Sequence, residues 1–145
     1  MIDPQKLIAN PKNPNKHSEA QISLIARLID FHGFRHPVIV SKRSNQVVAG
    51  HGRILASLKL GLREVPVDYQ DFESEAQEYA FMVSDNAISE WSELDFSMIN
   101  SELPELGPDF DTLLLAIEHF EIEPADKESK KKETTCPHCG ETFIK

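Results

Sequence analysis

The chain has 145 residues, 40% of them hydrophobic, and a formal net charge of −9, enough for one domain with a core and a short extension. No run approaches the ~18 apolar residues a membrane span needs. The start, "MIDPQKLIANPKNP", lacks a signal-peptide pattern. Its only two cysteines, Cys136 and Cys139, build no disulfide framework, so a cytoplasmic protein with no membrane contact is expected.

The charge is unevenly spread. From Met1 to Gln70 ten Lys/Arg face five Asp/Glu, and from Asp71 onward five face nineteen. A phosphate or polyanion would therefore meet the front half. Duplex DNA held by charge alone calls for a more basic chain, so DNA binding is expected to be weak or indirect.

In chain order, Leu7-Ile8 predicts a short strand, broken by Pro11 and Pro14 into an exposed loop. Ser18 with Gln21 three residues on reads as a capping box. The stripe Ile22, Ile25, Leu28, Ile29 gives the helix that follows its buried face, and Gly33 stops it. "PVIVS" and "QVVAG" predict two strands joined by the polar turn "KRSNQ". A helix with Ile54, Leu55 and Leu58 on one side runs to Gly61, and "EVPVDYQ" predicts another short strand, with Pro66 at an edge or a strand end. "SEAQEYAFMV" reads as a helix whose Glu73, Glu75 and Glu78 form a solvated face, followed by a bend or a second turn at "SDNAISEW". Trp91 and Phe96 read as core or hinge residues rather than a stacking platform. "FSMINSEL" and "DFDTLLLAIEHF" predict two short helices, and the charged stretch beyond Glu121 a flexible linker.

The most informative stretch is "VVAGHGRILASLKLG", Val47–Gly61. A strand feeding a glycine turn and then a helix points free backbone N–H groups at whatever lies before the helix. Those donors and the helix dipole favour an anion, phosphate above all. Gly50 and Gly52 let the backbone come close to a ligand and adopt positive φ, and Arg53 adds a charge suited to phosphate oxygens. His51 can donate to phosphate or move a proton near neutral pH. The spacing is neither that of a Walker loop nor of the dinucleotide fingerprint. A tight strand-to-helix corner with an arginine on its rim explains the same residues without a ligand. His17 and Lys16 could reach this turn from the proline-rich loop, although a solvated loop accounts for them too.

"HGFRHPVIV", then "QVVAGHGRILASLKLG", "EVPV" and "VSDNAISEW" together resemble the N-terminal domain of the ParB/sulfiredoxin superfamily, over roughly residues 4–91. The version most similar occurs in phage proteins and beside or fused to adenine/cytosine DNA methyltransferases. The resemblance implies an α+β fold: a small mixed-sheet ParB/sulfiredoxin-like domain over residues 1–91, a helical C-terminal extension over 92–120, a charged flexible tail over 121–135, and a terminal knuckle over 136–145. It implies a nucleotide site built from three motifs. The first matches Gly33 and Pro37 with Arg35 and His36 between them. The second keeps Gly50, Arg53 and Ala56 of its glycine-arginine pattern, with His51 in the place of an acidic residue and Gly52 and Leu55 in the places of arginines. The third corresponds to Asp85-Asn86, which also suit a helix cap. In sulfiredoxin a cysteine stands where His51 stands here, so reduction of sulfinic acid is not implied.

The implied ligand is a nucleoside triphosphate, CTP or ATP, with or without Mg²⁺. The implied role is a nucleotide-responsive adaptor for a DNA-modifying or partition protein, with a homodimer as one assembly. Two alternatives stand beside it: a small kinase, NTPase or nuclease with His51 as catalytic base, and an interaction module whose cradle is a vestige. Cys136 and Cys139 are half of a zinc site, since zinc takes four ligands and one knuckle supplies two.

Overall fold

The computed structural model describes residues 1–89 and 91–117 and the backbone of two short strands near the C-terminus. Its elements are α1 (Glu19–His32), β1 (Val38–Ser41), β2 (Val47–Ala49), α2 (His51–Leu60), β3 (Val67–Gln70), α3 (Glu75–Ser89), α4 (Phe96–Glu102), β4 (Glu133–Thr135) and β5 (Thr142–Ile144). Two compact units result. Met1–Leu94 and Asp111–Ala116 belong to the first, and α4 and the antiparallel β4–β5 pair belong to the second.

The first unit is built on a mixed three-stranded sheet of order β2-β1-β3. β1 pairs antiparallel with β2, with a register irregularity between Ile39 and Val40, and parallel with β3 from Val38↔Val67 to Ser41↔Gln70. β1 is central, so its β-branched residues are covered; Val38, Val40, Val47, Ile54 and Val65 make one core cluster. β3 lies at the sheet edge, as the proline before it requires. The hairpin turn closes with Asn45 at φ 57°, a left-handed conformation that asparagine tolerates.

Local signals set the helix ends. Ser18 Oγ accepts from the Gln21 N–H at 3.1 Å, and Gly33, at φ 74°, ends α1. α2 stops at Gly61, also left-handed. α1 and α2 pack through Ile22, Ala26 and Ala56, with Ile25, Ile29 and Leu60 at the margin.

Several expectations are corrected. Leu7-Ile8 forms no strand: Pro4–Lys6 is a 3₁₀ turn capped by Asp3, and pairing in this segment reduces to single bridges, Ile2↔Val65 and Ala9↔Val47. Prolines at 4 and 11 leave too short a run for a ladder. "SDNAISEW" is not a bend at its start, because α3 continues through Ser89. Asp85 and Asn86 therefore sit inside the helix rather than at a cap position. Trp91 is 82% exposed, and Phe96 is also exposed, so neither is a core residue. "DFDTLLLAIEHF" forms, within the described residues, only a 3₁₀ turn over Thr112–Leu115.

Glu78 is the largest departure. It is 3% exposed rather than solvated. Its carboxylate accepts from Ser41 Oγ at 2.7 Å, Ser44 Oγ at 2.8 Å and Arg43 Nε at 3.1 Å, which ties α3 to the β1–β2 turn. Burial works to raise its carboxyl, but the two hydroxyls and the Arg43 charge outweigh this and hold it below its ordinary value. Glu75 does lie on the surface, paired with Lys12.

Candidate functional site

Gly50 takes φ 96°, ψ 22° between β2 and α2, a conformation that favours glycine. It occupies the N-cap position of α2, and no side chain caps the helix there. α1 and α4 are capped by Ser18 and Asp95. The first N–H groups of α2, with the positive end of its dipole, are thus left for something else to satisfy.

They open on a cavity of about 520 Å³ in the first unit. Gly33, Arg35 and His36 enter it from the segment between α1 and β1, Gly50–Arg53 from the turn, and Asp85 and Asn86 from α3. Three stretches of sequence, within residues 33–36, 50–53 and 85–86, therefore meet in one place. Of the site residues anticipated from the three motifs and the loop, Pro37 and Lys16 do not line the cavity; Pro37 contributes through its carbonyl.

That carbonyl helps hold Arg53. Its Nη1 donates to the backbone oxygens of Pro37 at 2.6 Å and His36 at 2.9 Å. The guanidinium is thereby fixed across the turn, with its remaining N–H groups directed by a held plane. Burial pushes it below its ordinary value, and the Asp85 carboxylate pulls the other way. Arg53 is consequently a structural tie between α2 and the start of β1 as well as a charge in the cavity.

Gly52 has a different reason from the one expected. It lies within the helix and its φ is not positive. A Cβ there would stand 3.0 Å from Ile25 Cδ1 and 3.2 Å from His17 Cε1, so the glycine permits close packing of α1 and the proline-rich loop against α2. Gly50 supplies the left-handed turn.

His51 is half-buried, and its Nε2 accepts from the Asn10 N–H at 3.4 Å. Burial, and then the neighbouring His17 charge, push its imidazole below its ordinary value of 6.5. A neutral ring at pH 7 follows. His17 lines the same cavity, as do Asn13 and Asn15 from its loop and Leu114–Ala116 from the segment after α4. This last contribution was not legible in the sequence. It is accompanied by an ion pair between Arg27 of α1 and Asp111. Lys16 does not line the cavity.

Among the described residues no group of three or more His, Cys, Asp or Glu could hold a metal ion. Cys136 and Cys139, the expected half of a zinc site, lie outside the described residues. No described helix is long and apolar enough to cross a membrane.

A family model for the ParB N-terminal domain matches residues 1–86. Over 63 residues the chain is 32% identical to the ParB-like nuclease domain-containing protein YnaK of Escherichia coli K12, covering 43% of this chain and 71% of that protein. Among solved structures, the C-terminally truncated chromosome-partitioning protein ParB from Caulobacter crescentus, complexed with CTP-γ-S, aligns with a TM-score of 0.59 at 20% identity, covering 72% of this chain and 61% of that one. The same truncated protein complexed to the centromeric parS site aligns with a TM-score of 0.50 at 18% identity, covering 72% and 56%. At these identities the likeness is one of fold, and this chain spans less than two thirds of either structure.

Proposed function

The chain belongs to the ParB N-terminal domain family, and on that premise we propose that its cavity binds the phosphates of a nucleoside triphosphate. One observation carries this reading: an uncapped helix N-terminus, a fixed arginine and residues from three separate motif segments converge on one cavity. Backbone N–H groups at the start of α2 hold phosphate oxygens, the helix dipole favours their charge, and Arg53 adds charge-assisted hydrogen bonds. Gly33, Arg35 and His36 close one side and Asp85 and Asn86 the other, with the Pro37 carbonyl holding Arg53. Mg²⁺, where it takes part, arrives with the triphosphate, since no described cluster of metal ligands holds it independently.

In this reading nucleotide occupancy is the signal and the chain is an adaptor, of the phage or methyltransferase-associated type, working in the cytoplasm with a DNA-modifying or partition protein. The acidic balance after Gln70 leaves duplex binding weak or indirect. The cysteine pair would complete a zinc site only with two further ligands, as in a homodimer.

The neutral state of His51 favours a second reading. A neutral imidazole beside a phosphate site is suited to act as a general base, making the chain a small NTPase or nuclease. A thermal-shift screen against CTP, ATP, GTP and UTP, with and without Mg²⁺, tests the shared premise, and phosphate release separates the readings. Stabilisation by a triphosphate without turnover supports the adaptor; turnover abolished by His51→Ala supports the enzyme. No stabilisation by any nucleotide contradicts both and leaves a vestigial cradle.

A further inference from the structure

We propose that His17 is a ligand-contacting residue of this cavity and that, with His51, it makes phosphate binding consume a proton. The inference rests on reading the cavity as a phosphate site, and it adds a residue and a regulating variable to it.

The geometry begins with the proline-rich loop. It brings His17 against the face of Gly52, where a Cβ would meet His17 Cε1 at 3.2 Å and Nδ1 at 3.3 Å. Absence of a side chain at position 52 is thus what admits the imidazole beside the first turn of α2. Two imidazoles, one from the loop and one from the helix, then border a cavity that also receives that turn's free N–H groups.

Hydrogen bonds hold both rings in place. His17 Nδ1 lies 3.0 Å from Gln21 Oε1. His51 Nε2 accepts from the Asn10 N–H, so its hydrogen sits on Nδ1. Burial, and then the neighbouring His17 charge, disfavour the charged form of His51.

The surroundings do not already neutralise a second charge. His32, Arg35, His36 and Arg53 line the same cavity with positive or protonatable groups, while Asp85 is the single carboxylate among the described lining residues and lies close enough to act on Arg53. A multiply charged phosphate entering this space reverses the balance. It favours the imidazolium form, so phosphate binding draws a proton from solvent to the histidine pair, and by linkage phosphate affinity rises as pH falls.

The test is calorimetric titration of the full chain with CTP, ATP and inorganic tripolyphosphate as probes, in buffers of different ionisation enthalpy at pH 7. Wild type is compared with His17→Gln and His51→Gln, each first shown folded by its melting curve. Ionisation of the probe itself is common to all three proteins and cancels in the difference. Wild type should take up about half to one proton more per phosphate ligand than His17→Gln, and its affinity should rise about fivefold more between pH 8 and pH 6.5. Equal proton uptake and equal pH dependence in wild type and both variants would overturn the proton coupling while leaving the nucleotide site standing. Absence of binding by all three probes would overturn both.

Discussion

Two polar clusters lie within the first unit, and they are finished differently. At the β1–β2 turn, the buried Glu78 carboxylate is answered by Ser41, Ser44 and Arg43, so its charge is spent inside the chain. At the start of α2, the helix N-terminus has no side-chain cap, His51 is held neutral, and Arg53 is braced across a cavity of about 520 Å³. The first cluster has every reason to be rigid and none to meet a ligand. The second presents helix N–H donors that no side chain caps, beside an arginine only partly used in bracing the turn. Burial alone therefore does not mark a site; incomplete pairing beside space does.

Removing the closed cluster should have the largest effect on stability. Glu78→Ala leaves the buried Ser41 hydroxyl, the half-buried Ser44 hydroxyl and the partly exposed Arg43 guanidinium without their acceptor, and should cost about 3 kcal/mol in denaturant unfolding. A loss well under 1 kcal/mol would show that the cluster is ornamental. Its pH dependence has a definite sign. Because the folded carboxyl lies below its ordinary value of 4.5, its contribution is complete above the unfolded value and fades as pH falls through the folded one. The stability gap between wild type and Glu78→Gln should accordingly narrow in acid.

The glycines sharpen the comparison at a smaller magnitude. Gly52→Ala forces a Cβ against Ile25 and His17 and should cost about 1–3 kcal/mol by overpacking. Ile25→Val removes the methyl that stands 3.0 Å away and should restore part of that loss in the double variant. Gly50→Ala should cost about 1–2 kcal/mol through its left-handed backbone, and the Ile25 change should not rescue it. Equal rescue at both positions would refute the separate reasons given for the two glycines. The smallest effect belongs to Asp111→Ala, which breaks a half-exposed pair with Arg27 and should alter stability by less than ~1 kcal/mol.

Legibility in the sequence followed the range of the interaction. Ser18, Gln21 and Gly33 bound α1 because caps act within a few residues. The strand–turn–strand of β1 and β2, and the glycine corner leading to α2, were equally local. Glu78 was not legible as buried, since its partners lie 34 to 37 residues away. The one available hint was its helical spacing with Met82, which is fully buried on the same face. Gly52 was assigned to a positive φ that belongs to Gly50, because sequence shows a glycine but not the side chains that press on it. Leu114–Ala116 read as an ordinary apolar helix face, and nothing near them in sequence points to Arg27 or the cavity.

The central claim is that the open cluster binds phosphate, and Arg53 is its most direct handle. Calorimetric titration of CTP and ATP into wild type and Arg53→Ala, at a temperature where both are folded, measures that claim. The variant should melt earlier, since it loses its ties to the His36 and Pro37 carbonyls. It should also bind roughly 10- to 100-fold more weakly, the loss of about 1.5–3 kcal/mol expected for hydrogen bonds to a charged group. Equal affinity in the two proteins, or no binding by wild type, would contradict the account and leave the glycine turn as a corner of the chain.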